Sequence, residues 1–318
     1  MVTDNPYVDL FDEPEPTRAR RQRRFHDAPP QRSGRITEAE RRRLTHARQD
    51  AYTASIELPP GADRWSTWGT AEQGPHPRPD WLVTNLAAVD SELGVLKTGK
   101  EADVHLIERR VPDTGQSCVL AAKRYRSNEH RMFHRDAGYL EGRRARESRQ
   151  MRAIANRTAF GRNLIAEQWS VAEFAALSRL WSLGAPVPYP AQRNGTELLL
   201  EFLDDGAGGA APRLAQLRPA ADELAELWEQ LTGALELLAT QRLTHGDLSA
   251  YNILVHDGHL MLIDLPQVVD LVANPRGTEF LTRDVRTIAT WFAARGLPER
   301  LADAAALTER LIDAAGMR

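Results

Sequence analysis

The hydrophobic positions of this chain fall into blocks, and the period of the blocks changes along its length. Residues 1 to about 80 carry many Pro, Arg, Asp and Glu but few aliphatics, too little apolar surface to offset the entropy of ordering. That stretch is expected to be a disordered charged arm. Trp65, Trp68 and Trp81 break its polar pattern and predict that the arm becomes ordered on a folded lobe somewhere between Trp65 and Trp81. From there the chain turns strand-like: Gly94 to Ile107 reads as strand, tight turn, strand, and Val119 to Tyr125 as a third strand. Period-two alternation places Val119, Ala121 and Lys123 on one face, so Lys123 is directed toward whatever the preceding turn covers.

Residues 126 to 165 lose this periodicity. Arginines punctuate the segment and Gly138 and Gly142 interrupt it, which predicts a flexible basic insertion rather than a core helix. From Glu167 to Leu183, Trp169, Phe174, Leu177, Leu180 and Trp181 recur at helical spacing, and Gly184-Ala185-Pro186 ends the helix. Glu197 to Leu203 is a further strand, running into a Gly-rich hinge at Asp204 to Gly209. Ile253-Leu254-Val255 and Leu260 to Ile263 flank Asp257-Gly258, a tight-hairpin dipeptide. Strands first and helices later predict an α+β chain of two lobes, residues 81–203 and 204–318, behind the arm.

Charge and composition narrow the picture only a little. A net charge of -3 with pI near 6.3 gives no global signal for binding polyanions. Any RNA contact would use a local basic segment, either the insertion or Thr37 to Leu44, which reads as a short charged helix with Thr37 and Glu40 as a capping box. Cys118 is alone in an apolar run and is expected to be a small core residue. No run of eighteen apolar residues occurs and the N-terminus shows no signal-peptide pattern, so a cytoplasmic protein without membrane partners is expected.

The candidate chemistry lies in His245-Gly246-Asp247-Leu248-Ser249-Ala250-Tyr251-Asn252, followed by Ile263-Asp264. An aspartate five residues before an asparagine, on a loop entering an apolar strand, suits phosphoryl transfer: one carboxylate for a hydroxyl proton, one amide oxygen for a metal ion. The hairpin between Asn252 and Asp264 returns the second aspartate beside the asparagine, so both can reach one metal.

Taken in order, Thr98 to Val104, Lys123, the arginine-rich insertion with Gly138-Tyr139, Glu173, His245 to Leu254, Ile263 to Val269 and Asn274 to Val285 resemble the RIO atypical serine/threonine protein kinases, closest to their type 1 branch. The resemblance covers roughly residues 81 to 297. It implies a bilobal protein-kinase-like fold, with an N-terminal antiparallel sheet plus helix and a mostly helical C-terminal lobe. It also implies ATP as nucleotide and a divalent ion, magnesium with manganese as the alternative.

The same resemblance implies the roles of the residues. Thr98, Gly99, Lys100 and Glu101 would cover the phosphates, Lys123 would pair with them, and Glu173 would hold Lys123 from the helix. Glu201 and Leu203 would present backbone groups to adenine, with Leu200 shaping the back of the pocket. Asp247 would be the catalytic aspartate, Asn252 and Asp264 the metal ligands, and His245 a brace for the loop. Ala250 departs from the acidic residue common there, and Gly99 alone stands where ordinary kinases have several glycines.

Neither Asp-Phe-Gly nor Ala-Pro-Glu follows Asp264, so the long peptide-binding activation segment of ordinary kinases is not expected. The resemblance implies autophosphorylation and slow ATP hydrolysis, with the chain itself as a substrate; Ser127, Ser148 and Thr158, in the basic insertion, are the nearest expected acceptors. Two rival classes share parts of the pattern: small-molecule phosphotransferases of the aminoglycoside and choline kinase type, which share His-Gly-Asp, and an ATP-driven binding switch in ribosome assembly. Thr98 to Val104 and Arg283-Asp284 favour the RIO reading over the first.

Overall fold

A computed structural model describes residues 57–126 and 159–317. An antiparallel sheet of seven strands carries the N-terminal part: β1 (Arg64–Trp65), β2 (Glu72–Gln73), β3 (Val89–Thr98), β4 (Ala102–Arg110), β5 (Ser117–Tyr125), β6 (Pro190–Asn194) and β7 (Glu197–Glu201). Their order in space is β1-β3-β4-β5-β7-β6-β2. β1 and β2 are neighbours in sequence yet lie at opposite edges, so residues 66–71 strap across one face of a curled sheet. Trp68, Leu82 and Val83 from this region pack there with Ile107, Cys118, Leu120, Tyr189 and Leu199.

Two sequence boundaries move. The arm was expected to run to about residue 80, but β1 and β2 already pair with β3 and β6. Edge strands of two residues show no period-two signal, which is why composition read them as arm. Trp68 is buried, and Trp81 meets Tyr189 edge-on at 6.3 Å, so tryptophans do anchor this segment. The basic insertion was expected to end at residue 165, yet helix α1 (Ala159–Ser182) begins earlier. Residues 1–56, including Thr37 to Leu44, and residues 127–158, including Ser127, Ser148 and Thr158, lie outside the described residues.

Helix α1 crosses the other face of the sheet. It ends in a Schellman motif: Gly184 at φ 77° donates to the Trp181 carbonyl, and the Ala185 amide reaches back to Leu180. Beyond the hinge, α2 (Ala221–Thr240) buries Leu224, Leu227, Trp228, Leu231, Leu235 and Leu238, the one-sided stripe of an amphipathic helix. It packs with α3 (Gly277–Ala294) and α4 (Ala304–Ala314) in the second core. A short pair, β8 (Leu243–Thr244) and β11 (Val269–Asp270), brackets the hairpin of β9 (Ile253–His256) and β10 (His259–Leu262). Asp257 and Gly258 both have positive φ, 49° and 77°, the turn expected for this dipeptide. The α+β architecture, sheet with helix followed by a mostly helical part, is the kinase-like arrangement anticipated from sequence.

Candidate active site

A cleft of about 650 Å³ is lined by residues of β3, β4, β5, the hinge and the catalytic loop. Such a volume suits a nucleotide-sized ligand. Register explains how Lys123 enters it: on β5, Cys118, Leu120 and Ala122 point into the strapped core, so Ala121 and Lys123 take the opposite face and line the cleft. Lys123 Nζ donates to Glu173 Oε1 at 2.7 Å and to Asp264 Oδ1 at 2.8 Å. One ammonium therefore ties helix α1 and the residue after the hairpin to the sheet.

Glu173 is almost fully buried and satisfied from three sides: Lys123, the Tyr125 hydroxyl, and the Leu265 amide at 3.1 Å. Burial disfavours the charge of Lys123, but the Asp264 and Glu173 carboxylates outweigh it and hold its pKa above the ordinary lysine value. Conversely, the Lys123 charge holds the Asp264 carboxyl below the ordinary aspartate value against the cost of burial. Burial first, then the Glu173 charge, pushes Tyr125 well above the usual phenol range, so it remains a donor. Tyr125 was not singled out from sequence. Its signal was its place two residues after Lys123 on the same strand face.

The loop from His245 to Asn252 is held from both sides. Gly246 has φ 84°, and a Cβ there would come within 2.1 Å of the Gln267 carbonyl, so only glycine fits. His245 is fully buried: its Nδ1 accepts from the Asp247 amide at 3.3 Å, which leaves Nε2 to donate to the Ile263 carbonyl at 3.1 Å. It braces the loop against the hairpin, as the resemblance implied.

Asp284, from α3, anchors the loop from below. Its carboxylate accepts from Thr244 Oγ1 at 3.0 Å and from the Gly246 and Leu248 amides at 2.6 and 3.2 Å. Sequence reasoning used the Arg283-Asp284 pair only as a matching block and missed this positioning role; nothing local reveals that a helix acid reaches a loop some forty residues upstream.

The expected site residues divide plainly. Asp247, Gly99, Lys100, Glu101, Lys123, Glu173, Glu201, Leu203 and Asp264 all line the cleft. Thr98 pairs with Asp103 at the end of β3 and does not line it. Asn252 is not among the lining residues: its carbonyl accepts from the Ile263 amide at 3.0 Å, which brings it beside Asp264 across the hairpin. At the hinge, the Glu201 amide donates to the Tyr189 carbonyl at 2.8 Å, and the Leu203 carbonyl accepts from the Ala211 amide at 2.8 Å.

The donor set, oxygen atoms of Asn252 and Asp264, fits a hard divalent ion. Asn252 Nδ2 donates to the Asp247 carbonyl at 2.9 Å, turning its oxygen the other way, and Asp264 uses Oδ1 for Lys123. Among the described residues no group of three or more His, Cys, Asp or Glu could hold a metal ion. Two oxygen donors with nucleotide phosphates and water are the usual magnesium arrangement. From Asp264 to the start of α3 only residues 265–276 intervene, with β11 among them, so the expected lack of a long activation segment matches the connection. Among the described residues, no helix is long and apolar enough to cross a membrane.

Comparison with known proteins agrees with the resemblance. The family model for the RIO domain matches residues 114–305. The chain is 34% identical to the RIO-type serine/threonine-protein kinase Rio1 of Haloferax volcanii, over 65% of this chain and 65% of that protein. It is 30% identical to the serine/threonine-protein kinase RIO1 of Saccharomyces cerevisiae, over 69% of this chain and 48% of that protein. It is also 30% identical to RIO1 of Chaetomium thermophilum, over 68% of this chain and 42% of that protein. The aligned chain thus spans 65% or less of the length of these relatives.

Proposed function

The chain belongs to the RIO-domain family, and from that membership we propose that it is an ATP- and magnesium-dependent serine/threonine protein kinase that phosphorylates its own hydroxyls and hydrolyses ATP slowly. The observation that carries this reading is the bridging of Lys123 to both Glu173 and Asp264 inside a cleft that Asp247 also lines. An ammonium fixed between two carboxylates is positioned before the nucleotide arrives, so little reorganisation is needed when phosphate charge enters.

In this reading Lys123 clamps the phosphates, and the turn from Gly99 to Glu101 closes over them. An adenine edge laid along the hinge would meet the Glu201 carbonyl and the Leu203 amide. Asn252 and Asp264 would hold magnesium, or manganese in its place, which supplies charge neutralisation at the phosphates when bound. Asp247 orients the incoming hydroxyl and accepts its proton, while His245 and Asp284 keep its backbone in place. The short connection after Asp264 gives little surface for an extended peptide, which supports self-phosphorylation and ATP hydrolysis over efficient transfer to other proteins. Action in the cytoplasm and a role for the basic segments in ribosomal contact belong to the same proposal.

Incubating purified protein with ATP labelled at the γ-phosphate and magnesium, then scoring labelled protein and free phosphate, tests it. Both products are expected in wild type, and Asp247→Ala should abolish labelled protein while retaining nucleotide binding. Rapid phosphorylation of an amino alcohol or aminoglycoside, with no protein-bound phosphate, would overturn the reading.

A further inference from the structure

Strand β3 adds Lys97 to the cations Lys100 and Lys123 that line the cleft. In the sheet register Lys97 stands opposite Val104, and Val104 stands opposite Lys123. Residues directly opposite share a face, and adjacent strands lie about 5 Å apart, so Lys97 sits on the Lys123 face roughly 10 Å away. All three residues line the cleft.

Arg213 faces them from the other wall. It bridges to Leu254 through the backbone, and its guanidinium donates to the Tyr251 carbonyl in the catalytic loop. Arg213 and Leu254 also line the cleft. Val104 and Leu254 thus lie between Lys97 and Arg213 in a cleft that Asp264 also lines. The two cations feel each other: burial first, then the Arg213 charge, lowers the Lys97 pKa below its ordinary value.

Ordinary kinase lids follow G-x-G-x-x-G-x-V. With Gly99 in the middle glycine position and Val104 in the valine position, Lys97 occupies the place of the first glycine and Ala102 that of the third. Where that pattern has its first glycine, this chain carries a charged side chain that lines the cleft. Asp264 offsets part of the repulsion between the two cations, and an anion lying between them would offset the rest. Within the nucleotide-binding reading above, on which this inference rests, we propose that Lys97 and Arg213 form a two-sided clamp on the phosphates of the nucleotide.

Binding of Mg-ATP and of adenosine to the full chain, by titration calorimetry at low and moderate salt, tests the clamp. Lys97→Gln is expected to weaken Mg-ATP about tenfold, the scale of one partly exposed charge-assisted contact, and to flatten its salt dependence. Adenosine affinity and the thermal midpoint should hold, Lys97→Arg should restore most of the loss, and Arg213→Gln should act in the same direction as Lys97→Gln. In turnover assays KM for ATP should rise with kcat little changed. Equal Mg-ATP affinity in wild type and Lys97→Gln would overturn the clamp while leaving the nucleotide reading intact, as would an equal loss for adenosine or a change confined to the protein acceptor. Failure of wild type to bind Mg-ATP would overturn both.

Discussion

The two faces of the seven-stranded sheet bury a cation and a carboxylate each, and they treat them differently. On the strapped face, Arg109 of β4 is fully buried and donates to both oxygens of Asp90, at 2.8 and 3.1 Å, and to Gln192 at 2.9 Å; Gln192 in turn donates to Thr67. Each of these contacts ends on protein. On the cleft face, Lys123 holds the equally buried Glu173, but its second partner, Asp264, keeps 41% of its side chain exposed. A closed network can only stabilise. An open one has a place for a ligand, and its members carry charge toward that place.

The contrast breaks most completely if the strap is removed. Deleting the chain through Asp80 takes away β1, β2, Thr67 and Trp68 and uncovers part of the strapped apolar face, so the N-terminal sheet is expected to lose cooperative unfolding and nucleotide affinity together. Deletion of residues 1–56 alone should change neither, since that composition cannot support a core. Calorimetric melting of the two truncations decides this; similar melting of both would show that the strap contributes nothing.

A narrower cut is Asp90→Ala. It leaves Arg109 buried without its carboxylate, which costs about 3–5 kcal/mol, and urea unfolding should show a correspondingly lower midpoint. Replacing Arg109 by Met in the same chain should recover part of the loss, because the stranded charge is then gone.

On the open face, matching substitutions should fall on turnover instead. Lys123→Ala, Asn252→Ala and Asp264→Asn are each expected to lower turnover a hundredfold or more, about 3 kcal/mol of electrostatic stabilisation. Asp264→Asn suits this test because asparagine tolerates the left-handed backbone that Asp264 adopts at φ 66°. Wild-type turnover in all three would remove the distinction between the faces.

The smallest effect is in pH dependence. Asp264 has a lowered pKa, so its contribution to stability is present above the ordinary 3.8 and is lost as pH falls through the lowered value. Lys123 has a raised pKa, so its contribution is complete below the ordinary 10.5 and is lost as pH rises through the raised value. The difference in melting midpoint between wild type and Lys123→Met should therefore be flat from about pH 5 to about pH 9 and shrink in acid. A difference that grows on acidification would contradict the pairing.

Legibility from sequence followed contact distance. The hairpin at Asp257-Gly258 could be read because its turn, strands and register are set within a dozen residues, and it alone brings Asn252 beside Asp264. The end of α1 was readable at Gly184 for the same reason. Its start was not, because arginines masked the helical period before Glu167. β1 and β2 were invisible: two-residue strands exist only through the edges they pair with. Tyr125 and Asp284 escaped because their functions depend on Glu173 and on Gly246, partners 48 and 38 residues away.

By itself, the sequence determined the strands and helices that local periodicity specifies, the motifs that carry the RIO resemblance, and the tight turn that brings Asn252 beside Asp264. Only the tertiary structure decided which face of the sheet is sealed and which is open. That choice depends on where a weakly hydrophobic segment finds enough apolar surface to offset its ordering, and on which charges the fold then leaves facing water.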